Sequence, residues 1–220
     1  MSETYDVVIA GGAAMGASTA YHLAADPAFR GRVMVVEKDF SYARAATSLS
    51  LSSIRQQFSS PVNIRVGLAG VAFLKAAKET LAVDGEGPDL PITENGYLYL
   101  ASDAGAETLR ANHATQIAEG ADVALLTPEE TKARFPFLDM NGVALASLGL
   151  SGEGWFDSYS LLQAFRRKAQ KLGAIWRQDE VVGVEREGAR VTGVRLASGA
   201  RVGCGVFVNT AGASATNSHS

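Results

Sequence analysis

Cysteine is nearly absent from this 220-residue sequence, in which Cys204 is the single example. One cysteine excludes an internal disulfide framework, and three histidines with no neighbouring cluster of ligands give no metal-site spacing. No apolar run approaches the roughly 20 residues of a membrane span. Because nothing before Tyr5 has the form of a secretory signal, we expect a cytoplasmic protein.

An excess of positive charge is lacking too. The net charge is −3, and lysine and arginine are scattered along the chain, so nucleic acid is not an expected partner. Apolar residues, in contrast, are plentiful: 47% of the residues are hydrophobic and 20% are charged. A chain of this size and composition can bury one substantial core and a small second one.

The chain begins with a pattern of strand, glycine turn and helix. An apolar segment, Tyr5–Ala10, runs into Gly11–Gly16 and then into a helix-forming stretch. The unpaired amides at the start of such a helix, together with the positive end of its dipole, favour a pyrophosphate. The next strand, Val33–Val36, ends at Glu37, where the dinucleotide-binding motif has an acid for a ribose hydroxyl. The pattern therefore predicts dinucleotide binding.

The glycine motif departs from its usual form at one position. Gly11 supplies the turn and Gly16 the close packing of helix on strand, but Ala13 replaces the middle glycine. Alanine is the smallest available substitute, so we interpret the motif as a tolerated variant. The alternative is a glycine-rich turn that binds no ligand.

The next segment, Ser41–Pro61, is crowded with serine and threonine and shows no helix or strand pattern. A solvated connection is one interpretation, and a run of hydroxyls and amides that lines a cofactor is the other. A helical pattern follows over Val62–Leu81.

The middle of the chain changes character. We predict strands at Gly96–Leu100 and Val143–Ala146, a helix over Ala104–Glu119 and a further helix capped by Thr127. These elements do not continue the initial βαβ series, so they indicate an inserted second domain. Strands return from Ala174 onward, and turns at residues 187–188 and 198–199 join the last of them into a meander. The final strand opens into the small residues Asn209, Thr210, Ala211 and Gly212.

These motifs, in this order, resemble the FAD-dependent amine and amino-acid oxidoreductases typified by D-amino-acid oxidase, glycine oxidase and sarcosine oxidase. The resemblance covers nearly the whole chain. The segments Ile54–Ser59 and Glu153–Asp157 are most similar to the branch named for an FAD-dependent oxidoreductase domain. The implied fold is α/β: a Rossmann-like FAD-binding domain of the glutathione-reductase type, residues 1–90 and 152–220, with an inserted α+β segment of a substrate domain, residues 91–151.

The resemblance also implies which residues contact FAD. The pyrophosphate would be cradled by Gly11, Gly12, Ala13, Ala14, Met15 and Gly16, and the adenosine ribose held by Glu37 with Lys38. The ribityl chain and flavin would run beside Ser48, Ser52, Ser53, Ile54 and Arg55. Val181 matches the adenine position, and Ala211 with Gly212 would close over the cofactor.

Arg55 and Gln56 are the expected catalytic residues, again through the resemblance. A cation near the isoalloxazine would stabilise a reduced flavin or orient a substrate carboxylate. For Arg55 the alternative is a surface salt bridge.

Members of this group normally extend well beyond 220 residues, so we expect a fragment or truncated product with little turnover of its own. Three functions stay open: an FAD-dependent oxidase or dehydrogenase acting on the C–N bond of an amino acid or N-methylated amine, an NAD(P)-dependent reductase, and a non-catalytic nucleotide-binding or assembly protein. The expected partners are a small-molecule amine or amino acid, and either an electron acceptor or a second copy of the chain.

Overall fold

The N-terminal βαβ unit forms where the sequence predicts it. The structure is a computed structural model that describes residues 3–218. Strand β1 spans Glu3–Ala10, helix α1 Ala14–Ala25 and strand β2 Val33–Glu37. The first four residues of β2 are fully buried, which explains why this strand is a continuous apolar run.

The remaining elements follow in chain order: α2 Ala46–Leu49, β3 Ser53–Ile54, α3 Pro61–Thr80, β4 Leu98–Ala101, α4 Asp103–Ala118, β5 Val123–Leu126, α5 Pro128–Arg134, β6 Leu145–Gly149, β7 Gly154–Trp155, α6 Ser158–Lys171, β8 Ile175–Gln178, β9 Val181–Glu187, β10 Arg190–Leu196, β11 Arg201–Asn209 and a 3-10 helix at Gly212–Ser218. This mixed composition confirms the predicted α/β class.

Six strands form the main sheet, in the order β8-β2-β1-β11-β10-β9. Strands β8, β2, β1 and β11 are parallel, whereas β11, β10 and β9 form an antiparallel meander. Val7, Val8 and Ile9 pair with Val206, Phe207 and Val208, respectively. The last strand therefore lies in the same sheet as the first, as expected if residues 152–220 complete the N-terminal domain.

The core beneath this sheet joins its parallel and antiparallel parts. Buried side chains of β1 and β2 pack in one cluster with those of the meander, namely Val8, Ala10, Met34, Val36, Val181, Val194, Leu196 and Val202. Side chains alternate across a strand, so the intervening residues of β1 and β2 point to the opposite face. Helices α1 and α6 contact each other through Tyr21 and Phe165, whose ring centroids are 5.5 Å apart.

A second, smaller sheet is antiparallel, with the order β4-β6-β5. Its central strand β6 is buried along its whole length. The short strands β3 and β7 form a separate antiparallel pair, in which Ser53 lies opposite Trp155 and Ile54 opposite Gly154. Strand β3 and helix α2 lie in the serine-rich segment, which was predicted to be free of both. That prediction was wrong because β3 depends on a partner about a hundred residues away, as local patterns cannot reveal.

The chain divides into two compact units. The first takes in the described residues of Met1–Ser50, Lys78–Asp89 and Ser158–Ser220, and the second comprises Leu51–Ala77 and Leu90–Asp157. The second unit is larger than the predicted insert of residues 91–151. Residues 51–77 and 152–157 group with it because β3 pairs with β7 and the Ser52 carbonyl accepts from the Phe156 amide.

Residues 3–218 contain no helix that is both long and apolar enough to cross a membrane. Over the same residues, no three histidine, cysteine, aspartate or glutamate side chains are grouped so that they could hold a metal ion. The thiol of Cys204 is buried in the core of the six-stranded sheet, and burial raises its pKa.

Helix α5 has a complete capping box, which generates a stability prediction. The Thr127 hydroxyl accepts from the Glu130 amide at 3.2 Å, and the Glu130 carboxylate accepts from the Thr127 amide at 2.8 Å. Thr127→Ala should lower the free energy of unfolding by about 1 kcal/mol, because the Glu130 amide loses its side-chain acceptor. Urea unfolding followed by circular dichroism measures this change.

The matched control is Thr115→Ala in the exposed face of α4, where the hydroxyl donates to the Ala111 carbonyl within the helix. Alanine favours a helix interior more than threonine, so this variant should be unchanged or slightly more stable. Equal losses in both variants would contradict the role of the cap.

Candidate functional site

The glycine turn after β1 is held by close backbone contacts. Gly11 has φ +91° and donates its amide to the Val36 carbonyl at 2.8 Å. A Cβ on Gly11 would lie 2.6 Å from the Thr210 carbonyl oxygen, and one on Gly16 would overlap the Gly11 carbonyl oxygen. Both positions therefore require glycine for steric reasons, Gly11 for the turn and Gly16 for close packing of helix on strand.

Helix α1 starts directly after this turn. Its cap position, Ala13, makes no side-chain hydrogen bond to the first turn. The Ala14 amide instead donates to the Thr47 hydroxyl at 3.2 Å, and Met15 is 72% exposed. The first-turn amides and the helix dipole thus present a positive end that suits an anion.

The carboxylate of Glu37 is fixed by two backbone amides. Its Oε2 accepts from Gly12 at 2.7 Å, and its Oε1 accepts from Asp39 at 2.9 Å. Each oxygen of a carboxylate can accept a second hydrogen bond. Glu37 therefore ties the glycine turn to the end of β2 while keeping capacity for a hydroxyl ligand.

A pocket of about 60 Å³ opens at the carboxyl ends of β1 and β2. Five of the predicted cofactor-binding residues line it, namely Gly11, Glu37, Lys38, Val181 and Ala211. Ala10, Val36, Asp179, Glu180 and Ser214 complete the lining. The structure thus brings together residues from four separate segments, at the edge of a parallel sheet where ligands usually bind.

Sequence reasoning missed Asp179, Glu180 and Ser214. The two acids precede β9, and their position beside Glu37 follows from the pairing of Glu37 with Gln178 in the sheet. No local motif marks them. A carboxylate pair directly before the predicted adenine-contacting strand was the available signal.

The pocket is acidic overall. Burial alone would raise the pKa of Asp179, but hydrogen bonds from the Ser198 hydroxyl and from backbone amides hold that pKa below its ordinary value. The cation of Lys38 lies 3.5 Å from Glu180 and donates to the Ser214 hydroxyl at 2.9 Å. This charge pattern favours sugar hydroxyls and amines and disfavours a phosphate in the pocket itself.

The remaining predicted residues of the first unit lie near these elements in the chain. Gly212 has φ +57° and begins the 3-10 helix directly after the pocket residue Ala211. Ser48 is exposed in α2, one residue after Thr47. Thr210 was not predicted, yet its hydroxyl donates to the carbonyls of Ala10 and Gly11 at 2.8 Å each.

Arg55 belongs to the second unit, where aromatic side chains surround its guanidinium. Its Nη1 donates to the Tyr99 hydroxyl at 2.8 Å, and its guanidinium lies 4.9 Å from the ring centroid of Phe58 and 5.9 Å from that of Tyr97. No carboxylate of residues 3–218 forms an ion pair with it. Among residues 3–218, Arg55 therefore does not form the surface salt bridge that was the alternative interpretation of this residue.

The residues just before Arg55 are held by strand pairing. Ser53 and Ile54 form β3, opposite Trp155 and Gly154 of β7. Ser52 has φ +53°, an uncommon conformation for a residue with a side chain. The conformation turns the chain into β3 and leaves the Ser53 side chain exposed and that of Ile54 half-buried.

Gln56 and Gln57 are buried, and a buried carboxylate binds both of them. Glu153 Oε1 accepts from the Gln56 amide at 2.6 Å and from the Gln57 amide at 3.0 Å. The Gln56 side chain donates to the Gly152 carbonyl at 2.9 Å. With 3% exposure, Gln56 supports the loop from inside, a placement that does not favour its predicted contact with substrate.

Comparison with known proteins places the chain among flavoproteins. A family model described as DAO, FAD dependent oxidoreductase, matches residues 6–219. The FAD-dependent oxidoreductase domain-containing protein 1 of Bos taurus is 48% identical over 182 residues, which cover 81% of this chain and 37% of that protein. The sarcosine oxidase subunit beta of Arthrobacter sp is 28% identical over 204 residues, which cover 90% of this chain and 48% of that subunit.

A solved structure is also similar to this chain over nearly its whole length. L-proline dehydrogenase from P. horikoshii matches with a TM-score of 0.82 and 31% identity, and the match covers 98% of this chain and 55% of that one. The chain therefore spans about a third to a half of the length of the proteins that it resembles.

The packing of Gly16 against the turn leads to a second stability prediction. Gly16→Ala should lower the melting temperature and cost about 1–3 kcal/mol, because the added methyl overlaps the Gly11 carbonyl and crowds the Thr210 hydroxyl. Differential scanning calorimetry provides the measurement.

Gly105→Ala is the control, since its Cβ would meet only the Ala101 methyl, at 3.4 Å. Gly105 lies within α4, where alanine is favoured over glycine, so this variant should melt at the same or a higher temperature. A Gly16 variant as stable as the parent would show that the close approach is not required.

Proposed function

The chain belongs to the DAO family of FAD-dependent oxidoreductases, and from that premise we propose that it is part of an enzyme that oxidises a C–N bond of an amino acid or N-methylated amine. The family assignment confirms the resemblance drawn from the sequence motifs, and FAD is the cofactor of this family. The observation that carries the proposal is the pocket that gathers Gly11, Glu37, Lys38, Val181 and Ala211 at one sheet edge.

The residues of the first unit fit the adenosine and pyrophosphate parts of FAD. The turn Gly11–Gly16 and the first-turn amides of α1 would hold the pyrophosphate, since Ala13 does not cap this helix end and the Thr47 hydroxyl occupies only the Ala14 amide. Glu37 would accept from ribose hydroxyls, and Val181 with Ala211 would enclose the adenine. When bound, FAD supplies the capacity to accept two electrons and hydrogen from the substrate.

Arg55 is the proposed anchor for a substrate carboxylate. Its guanidinium has no carboxylate partner among the described residues, and its side chain is exposed. The rings of Tyr97 and Phe58 restrict its motion, and Tyr99 adds a hydroxyl beside it. A fixed guanidinium suits bidentate binding of a carboxylate, which orients an amino acid for reaction at its C–N bond.

The names of two relatives support a secondary amino acid as substrate. One is a sarcosine oxidase subunit and the other an L-proline dehydrogenase. Whether oxygen or another electron acceptor completes the reaction differs between those names, so an oxidase and a dehydrogenase are both compatible with the proposal. The expected cytoplasmic location and self-association stay predictions.

The acidic pocket argues against the NAD(P)-dependent alternative in its NADP form. A phosphate on the adenosine ribose would face Glu37, Asp179 and Glu180, with Lys38 already paired to Glu180. Like charges at such short range disfavour binding. A non-catalytic nucleotide-binding protein is the remaining alternative, and it predicts FAD binding without reduction of the flavin by any amino acid.

FAD binding through Glu37 is the testable consequence. Glu37→Gln should raise the dissociation constant of FAD by roughly 5- to 30-fold, which corresponds to about 1–2 kcal/mol, because a charge-assisted hydrogen bond to the ribose is lost. The quenching of FAD fluorescence on titration with the purified chain measures this constant.

Glu187→Gln, at the exposed end of β9, is the matched control and should bind FAD as the parent does. An unchanged constant in Glu37→Gln would show that the ribose does not contact this carboxylate. If the parent protein does not quench FAD fluorescence at any FAD concentration, the proposed function is rejected.

A further inference from the structure

We propose that Glu153 is a positioning residue. It fixes Arg55 for carboxylate binding by holding the backbone of Gln56 and Gln57, the two residues that follow Arg55. The inference rests on the proposed function, because positioning matters only if Arg55 binds a ligand. Glu153 received no role from the sequence motifs beyond its place in the segment Glu153–Asp157.

Because Glu153 is buried, its carboxylate depends on hydrogen bonds from the loop that follows Arg55. Its side chain is 0% exposed. A buried carboxylate is tolerated only where donors replace the water that it has lost, and Glu153 has three: the amides of Gln56 and Gln57, and the Gln57 side-chain Nε2 at 2.8 Å. The loop after Arg55 can therefore not move away without leaving a buried carboxylate without partners.

Gln57 extends this restraint to the small sheet. Its Nε2 also donates to the Tyr97 carbonyl at 2.9 Å, and its Oε1 accepts from the Ser147 hydroxyl at 2.5 Å. Ser147 is fully buried in β6, and Tyr97 directly precedes β4. Glu153 and Gln57 together connect the Arg55 loop to the strand that carries Tyr99.

Three glycines leave the space that this arrangement needs. A Cβ on Gly149 would overlap the Glu153 carboxylate, one on Gly152 would overlap the Gln56 side chain, and one on Gly154 would overlap the Thr93 carbonyl. The Gly152 amide is itself held by the Glu94 carboxylate at 2.5 Å. The hydrogen bond from Lys75, followed by the one from Gly152, lowers the pKa of Glu94.

Restraints on both sides leave Arg55 few ways to move. Strand pairing holds Ile54 before it, Glu153 holds Gln56 after it, and Gly67 of α3 approaches so closely that a Cβ there would lie 2.5 Å from the Arg55 carbonyl oxygen. A guanidinium on a fixed backbone loses less conformational freedom when a carboxylate binds. Releasing the backbone should therefore weaken binding even though Arg55 itself is intact.

The experiment compares Glu153→Gln with the parent chain, using L-proline as the probe. In an isotope-labelled chain, the Arg55 Nε–H signal is identified by its loss in Arg55→Lys, and its shift on titration gives the apparent dissociation constant. We expect Glu153→Gln to raise this constant by roughly fivefold or more, because one acceptor becomes a donor that faces amide donors. Hydrogen exchange at the Gln56 and Gln57 amides should accelerate roughly tenfold.

Two controls separate positioning from general damage. Glu130→Gln changes a carboxylate of the same unit that also accepts from a backbone amide, but in the cap of α5, so it should leave both readouts unchanged. Pyrrolidine, which lacks the carboxylate of L-proline, should not shift the Arg55 signal in any variant. Binding of pyrrolidine equal to that of L-proline would show that Arg55 does not recognise a carboxylate.

The outcomes distinguish the inference from the function on which it rests. Unchanged affinity and exchange in Glu153→Gln, with normal binding by the parent chain, would overturn the inference and leave the proposed function standing. If L-proline fails to shift the Arg55 signal of the parent chain, the carboxylate role of Arg55 is wrong and the inference fails with it. If Glu153→Gln does not fold, Ser147→Ala, which removes only the bond to Gln57 Oε1, should give smaller changes in the same direction, and no change there would overturn the inference.

Discussion

The first unit depends on the close approach of β1 and β11, two strands from opposite ends of the chain. The Thr210 hydroxyl donates to the Ala10 carbonyl, 200 residues away in sequence, and the backbone of Thr210 lies where a side chain on Gly11 would have to be. Parallel pairing over Val7–Ala10 and Val206–Asn209 then aligns the carboxyl ends of both strands. Because the turn after β1 and the segment after β11 meet at this edge, the pocket lies there.

The second unit depends on a buried carboxylate, that of Glu153, which connects distant segments of the chain. Glu153 accepts from donors 96 and 97 residues away, and these bonds decide where the chain before and after Arg55 lies. A buried acid is costly unless every lone pair that faces the protein meets a donor, so the loop conformation and the burial require each other. The same bonds explain why residues 51–77 join the unit formed by the small sheet.

The two units offer different chemistry. The first presents amide groups at the start of α1 and acidic side chains in the pocket, which together suit a pyrophosphate attached to a ribose. The second presents a guanidinium among aromatic rings, which suits a carboxylate on a small organic molecule. The chain belongs to a family of FAD-dependent oxidoreductases, and we propose that the first site serves the cofactor and the second a substrate. In this proposal the acidic pocket of the first unit serves the ribose, and the Arg55 guanidinium of the second unit serves the substrate carboxylate.

The sequence alone determined the features that depend on neighbouring residues. The apolar runs of β1 and β2, the glycines at 11 and 16, the capping box at Thr127 and the meander from Val181 onward are local patterns, and each has its expected structure. Only the tertiary structure decided which distant groups meet: Asp179 and Glu180 beside Glu37, β3 with β7, and Glu153 with the amides of Gln56 and Gln57. The physical reason is that hydrogen bonds and burial between segments a hundred residues apart leave no periodicity in the sequence, so a glutamate between two glycines looks like a solvated turn until the fold surrounds it.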